Sequence, residues 1–199
     1  MSDPYVYPGT AVLRNKLGTR DPIQLERVEK EFVTQRLRKG APTGNFDLNH
    51  LQAIHKYLFQ DVYEWAGEVR TVEINKDGNQ FQFAEFIEIG MGNVHQRVVQ
   101  ANYLRGLSPS AFARDAAKII GDVNYVHPFR EGNGRTQMQY LKQLAARAEH
   151  ALDLARVDPA QWIEASKEAH QVRYDDMAQA IRSSIVGREK AVRDQGRER

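Results

Sequence analysis

The chain contains no cysteine. Disulfides, thiolate nucleophiles and cysteine-ligated zinc are thereby excluded, and the composition suits a reducing compartment. No run of 18 consecutive apolar residues occurs, and the opening Met-Ser-Asp-Pro-Tyr-Val-Tyr-Pro has no basic segment leading into an apolar one. Neither a membrane span nor an export signal is expected, and the protein is expected to be cytoplasmic. Charge of one sign is also lacking: 28 Lys and Arg against 26 Asp and Glu leave a net +2 at pH 7. That balance gives no footprint for direct nucleic-acid or membrane binding beyond local patches. With 199 residues the chain is long enough to bury a sizeable core as one domain.

What is present concentrates between residues 127 and 135. His127-Pro128-Phe129-Arg130-Glu131-Gly132-Asn133-Gly134-Arg135 places an imidazole, a carboxylate, a glycine-rich turn and a cation within nine residues. Gly132 and Gly134 let successive backbone N–H groups point one way, and an apolar stripe at Met138, Leu141, Ala145 and Ala148 says that a helix starts there. A glycine turn opening a helix is an anion cradle. His127 can take a proton near neutral pH, Glu131 can hold a hard cation such as Mg²⁺, and Arg135 can neutralise phosphate, so the set describes phosphoryl or nucleotidyl transfer.

The flanking sequence reads mainly as helix. Residues 5 to 18 suggest a turn and a short helix with Gly18 as its C-cap, and Asp21-Pro22 opens a helix carrying Leu25, Val28, Phe32 and Leu37 to Gly40. Asp47 caps a helix through Leu48, Leu51, Ile54, Leu58, Val62 and Trp65, closed by Gly67; His50 and His55 within it lack metal-pair spacing and read as surface or packing residues. Residues 68 to 83 change to a β-favouring pattern around Asp77-Gly78 and predict a hairpin. Helices are then expected over 84–104, with Gly90 and Gly92 as weak points, from Ser108-Pro109 to His127, and from Asp158-Pro159 through Trp162, Ile163, Ala165, Ala169, Met177 and Ile181 with a break near Arg173-Tyr174-Asp175. Residues 187–199 form a charged tail, and nothing divides 1–186.

The motif resembles the signature of Fic-domain proteins, HPFx[D/E]GNGRxxR, and the run Leu58 to Gly67 and the opening from Tyr5 are similar to that family as well. The resemblance implies a mainly α fold, a Fic-type helical bundle with a small β-hairpin flap over about 68–83 beside the loop. It implies a protein adenylyltransferase: His127 deprotonates a hydroxyl of a target protein, which attacks the α-phosphate of ATP. Glu131 would hold Mg²⁺ bridging the α- and β-phosphates. Gly132, Asn133 and Gly134 would stabilise the α-phosphate, with the Asn133 side chain contributing, and Arg135 would grip the pyrophosphate. The flap, through Phe81, Gln82 and Phe83, would align an extended target segment. Pro128 and Phe129 are read as structural, and Arg130 as facing solvent or target.

One position departs from the pattern, because Met138 stands where the family has a second arginine that binds the γ-phosphate. Losing one charge-assisted contact should cost about 1.5–3 kcal/mol. The resulting expectations are a slower enzyme, a donor lacking the γ-phosphate, or a nucleotide- or protein-binding module with impaired catalysis. Family members are commonly held off by a glutamate in a [S/T]xxxE[G/N] helix, a string absent from these 199 residues. By resemblance this implies a toxin whose small antitoxin partner supplies that helix, with the ATPase subunit of a bacterial type II topoisomerase as a target; delivery into a host cell would leave the same sequence features.

Overall fold

Four helices begin where a cap stands in the sequence. Asp21 accepts the N–H groups of Ile23 and Gln24, Asp47 that of His50, Ser108 that of Ala111 and Asp158 that of Gln161, and three of these caps are followed by proline at the first helical position. Such caps satisfy donors that the first turn cannot pair internally. The computed structural model describes residues 3–76 and 78–186, and the predicted tail at 187–199 lies outside them. Within that range run α1 Pro22–Lys39, α2 Leu48–Phe59, α3 Ile87–Gln100, α4 Pro109–Val126, α5 Asn133–Arg147, α6 Pro159–His170 and α7 Asp175–Ser184. Two small antiparallel pairs accompany them: β1 Asn75–Lys76 with β2 Asn79–Gln80, and β3 Ala151–Leu152 with β4 Ile185–Val186.

The fold is mainly α with a small hairpin, as the sequence pattern indicates. α4 is the central helix and packs against α3, α5, α6 and α7, while α2 lies against α5 and α1. Its Phe112, Ala116, Ile120 and Val123 are fully buried beside Leu141 and Leu144 of α5, Ile54 and Leu58 of α2 and Ile181 of α7, in one contiguous apolar core. Burying the Phe, Ile, Leu and Val side chains among these is worth about 1.5–3 kcal/mol each. The central helix thus delivers His127 at its C-terminal end, next to the N-terminus of α5. No helix among the described residues is long and apolar enough to cross a membrane.

Several boundaries differ from the sequence reading. Residues 5–18 form turns joined by a bridge between Val6 and Leu13, with no helix, because Tyr7 N–H bonds to Val12 O and Arg14 N–H to Tyr5 O. α2 stops at Phe59, and Val62, Tyr63 and Trp65 reach the core from successive turns. The 84–104 segment is α3 flanked by two short 3₁₀ turns, the second with left-handed backbone from Asn102 to Leu104. α3 runs unbroken through Gly90, where a Cβ would collide with the Gln82 side-chain amide, so the glycine admits that side chain. The break expected near Arg173-Tyr174-Asp175 is present: α6 and α7 are separated at 171–174, where Val172 has a positive φ. Ile163 and Leu37, expected on apolar faces, are 55% and 40% exposed.

Candidate active site

α4 ends because His127 turns into the left-handed region at φ 46°, while its N–H still returns to Val123 O. Five residues later Gly132 turns the chain again at φ 81° and opens α5. Only glycine fits there: besides the positive φ, a Cβ would lie 2.4–3.0 Å from the Phe59 ring. Between the two turns, Phe129 is fully buried and Asn133 closes the loop, its Oδ1 accepting Phe129 N–H at 3.0 Å and its Nδ2 donating to Phe129 O at 2.7 Å. Both ends of the Asn133 amide thus hold the loop, and Asn133 also lines the cleft on that side. Thr136 adds its N–H and hydroxyl to Gly132 O.

α5 starts without a side-chain cap. The N–H groups of Asn133, Gly134 and Arg135 make its first turn, where an α-helix has no internal acceptors and carries partial positive charge. The space beyond Gly134 is open. Gly134, Glu131, His127, Lys76, Phe81 and the Trp162, Ser166 and His170 face of α6 line a cavity of about 320 Å³. This is within the range of small-ligand sites.

His127 lies beneath the Phe81 ring, with centroids 3.8 Å apart and planes at 18°. Its Nδ1 is 3.2 Å from Asn124 O. A carbonyl only accepts, so Nδ1 carries the proton and Nε2 keeps a lone pair. Burial pushes the imidazole pKa down to about 3, opposed by the Asn124 hydrogen bond and reinforced by the positive charges of Lys76 and Arg70 and by His170. The residue is thus a neutral acceptor at physiological pH, not one that titrates near neutrality as its type alone suggests.

Glu131 is 45% exposed and stands between two cavities. Its Oε1 accepts Gly132 N–H at 2.8 Å and lies 3.6 Å from Arg135. The second cavity, about 520 Å³, is lined by Arg135, Glu29, Tyr63 and residues 11–13. Arg135 faces this side: its guanidinium lies over the Phe59 ring at 4.7 Å and is 2.6 Å from Oε1 of Glu29, whose other oxygen accepts the Tyr63 hydroxyl. Among the described residues no three acidic or imidazole side chains could hold a metal ion together. Glu131 alone fits an Mg²⁺ that brings its remaining oxygens from phosphate and water, as nucleotide-bound Mg²⁺ does.

The flap residues divide. Phe81 covers His127, Phe83 is 52% exposed, and Gln82 serves the fold, with its N–H on Tyr125 O and its carbonyl on Arg70. Arg130, expected to face solvent or target, pairs with Asp3 at 2.8 Å.

Three supports escaped the sequence reading. His55 is fully buried, stacks on Phe129 at 3.9 Å, accepts Gly67 N–H at Nδ1 and donates from Nε2 to Glu131 O. Burial lowers its pKa to about 4, so it is neutral in this role. Glu29 holds Arg135 from a stripe with Leu25 and Val33 on α1, where a carboxylate among buried apolar positions was the available signal. Arg70, 2% exposed, bonds His127 O.

A helical bundle thus sets a neutral imidazole and an uncapped glycine-initiated helix around one cleft. The Fic/DOC family model matches residues 45–145. The chain is 41% identical over 188 residues to the protein adenylyltransferase VbhT of Bartonella schoenbuchensis, covering 93% of this chain and 39% of VbhT. It is 36% identical over 186 residues to the probable protein adenylyltransferase y4lH of Sinorhizobium fredii, covering 93% of this chain and 97% of that protein. Among solved structures, BepC of Bartonella tribocorum with bound AMPPNP superposes with a TM-score of 0.84 at 27% identity, covering 93% of this chain and 97% of that one. The chain belongs to the Fic/DOC family.

Proposed function

We propose that the chain is a nucleotidyltransferase that moves AMP from ATP to a hydroxyl side chain of a target protein. One observation carries this reading: the neutral His127 and the uncapped start of α5 line the same cleft. Relatives named protein adenylyltransferases and a neighbour solved with AMPPNP supply the nucleotide and the reaction class.

The acceptor hydroxyl loses its proton to Nε2 of His127 as its oxygen bonds to the α-phosphorus. The bond from that phosphorus to the bridging oxygen breaks, and pyrophosphate leaves. The N–H groups of Gly134 and its neighbours face the charge that develops on the phosphate, the kind of preorganised contact worth about 10²–10³ in rate. Anionic phosphates beside His127 favour its protonated form and raise its pKa during the reaction. Glu131 is the residue that would hold Mg²⁺, which supplies charge neutralisation on the phosphates. Arg135 meets the leaving pyrophosphate from the Glu29 side. A cytoplasmic site of action suits a reaction that draws on ATP.

The finer reading is a toxin restrained by a partner that brings an inhibitory glutamate helix, with type II topoisomerase ATPase subunits as the first targets to test. A second reading, a binding module with little turnover, is favoured by Met138, half-buried one turn beyond Gly134 and carrying no donor.

Incubation with labelled ATP, Mg²⁺ and bacterial lysate should label a discrete protein, and His127→Ala should remove the band. A label that survives His127→Ala would count against the proposal.

A further inference from the structure

Arg70 is a buried cation to which the reaction gives no task. Its side chain has no exposed surface. Nε donates to His127 O at 2.8 Å, Nη1 to Val72 O at 2.6 Å, and Nη2 to Gln82 O and, at 3.5 Å, to Val126 O. Nη1 is 3.6 Å from Oε2 of Glu73, and the Arg70 backbone N–H bonds Pro128 O at 2.9 Å. One planar group therefore joins the end of α4 and the start of the motif to both legs of the hairpin.

Each end needs it. The chain turns at His127, so the last α4 carbonyls lack helical donors and their partial negative charge favours a cation. The hairpin pairs only two residues per strand, too few to hold its position unaided. Two further links run beside the guanidinium: Gln82 N–H to Tyr125 O at 3.0 Å, and the Phe81 ring stacked on His127.

We propose that Arg70 is a positioning residue for transfer: it fixes the His127 backbone and the hairpin as one unit, so that a hydroxyl presented at the hairpin meets Nε2. The proposal rests on the adenylyltransferase reading for its consequence, and on the contacts above for its coupling. Lysine cannot substitute, because carbonyls in several directions match a rigid planar fork and not a single ammonium.

The test uses the full chain carrying Arg70→Lys or Arg70→Gln. Amide exchange at Phe81 and Gln82 should speed up by about tenfold or more as their protection is lost. Transfer per folded molecule should fall by about thirtyfold or more, while AMPPNP affinity by calorimetry stays within about threefold, the signature of lost alignment without lost nucleotide binding. Arg70→Lys carries the test if Arg70→Gln does not fold. Wild-type exchange in the Lys variant, transfer per folded molecule within about twofold of wild type, or affinity falling as far as the rate would each overturn the proposal. If the wild-type chain transfers nothing, the adenylyltransferase reading fails, and the exchange rates still decide whether Arg70 couples the hairpin to α4.

Discussion

On one side of Glu131, His127 lies under Phe81 with its pKa held down by burial, and its hydrogen-bond partner is a neutral carbonyl. On the other, Arg135 rests on Phe59 and is paired with Glu29, which in turn receives the Tyr63 hydroxyl. The His127 side is built by burial beside positive charges; the Arg135 side is built by pairing opposite charges in a half-exposed setting. His127 therefore depends on what enters the cleft to make it basic, whereas Arg135 carries its charge permanently and needs only to be aimed. The loop between them serves both sides, since Gly132, Asn133 and His55 fix the position of Glu131.

Breaking that shared loop should have the largest effect. Gly132→Ala forces a Cβ into a left-handed backbone and into the Phe59 ring, which should destabilise the fold by about 2–5 kcal/mol, read as a lower urea midpoint. A midpoint within error of wild type would mean that the loop can relax without loss.

Acid should next separate the neutral side from the charged one. His55 has its pKa lowered from 6.5 to about 4, so the folded state binds fewer protons than the unfolded chain across that window. Its contribution is fully present above pH 6.5 and lost as pH falls toward 4, by up to about 3 kcal/mol. His127, lowered to about 3, acts in the same direction. Urea midpoints at pH 7.5 and 4.5 should show the fall, and His55→Asn should shrink it; a midpoint independent of pH would contradict the account of how this side is built.

Restoring charge sharpens the other side. Met138→Arg should raise transfer by about ten- to a hundredfold, the worth of one charge-assisted phosphate contact, with KM for ATP lowered. An unchanged rate would favour the binding-module reading.

The smallest change expected is at Glu29. With Glu29→Gln, Arg135 loses its 2.6 Å partner and can close on Glu131, now 3.6 Å away. The Mg²⁺ concentration for half-maximal transfer should rise by about three- to tenfold. No shift in the Mg²⁺ titration would mean that Glu29 serves stability alone.

The sequence makes some of this readable and hides the rest for a physical reason. Caps at Asp21, Asp47, Ser108 and Asp158 act within three residues, and each marks a helix start correctly. The stretch His127 to Arg135 also reads locally, because its turns and charges are contiguous. The end of α2 was obscured since Val62 and Trp65 continue the apolar spacing while reaching the core from turns. His55, Arg70 and Glu29 act on groups far away in the chain: His55 meets Glu131 O across 76 positions and Arg70 meets His127 O across 57. No local periodicity reports such contacts. The residue type of His127 suggested titration near neutrality, and only its burial under Phe81 corrects that.

The proposed reaction transfers the α-phosphate with its nucleoside, using His127 as base. Parallel reactions with ATP labelled at the α- or at the γ-phosphate, each with wild-type and His127→Ala protein, test it most directly. The target protein should carry the α-label only, and His127→Ala should lower the rate by about 10²–10⁴. Incorporation of the γ-label, or α-labelling at an unchanged rate without His127, would contradict it.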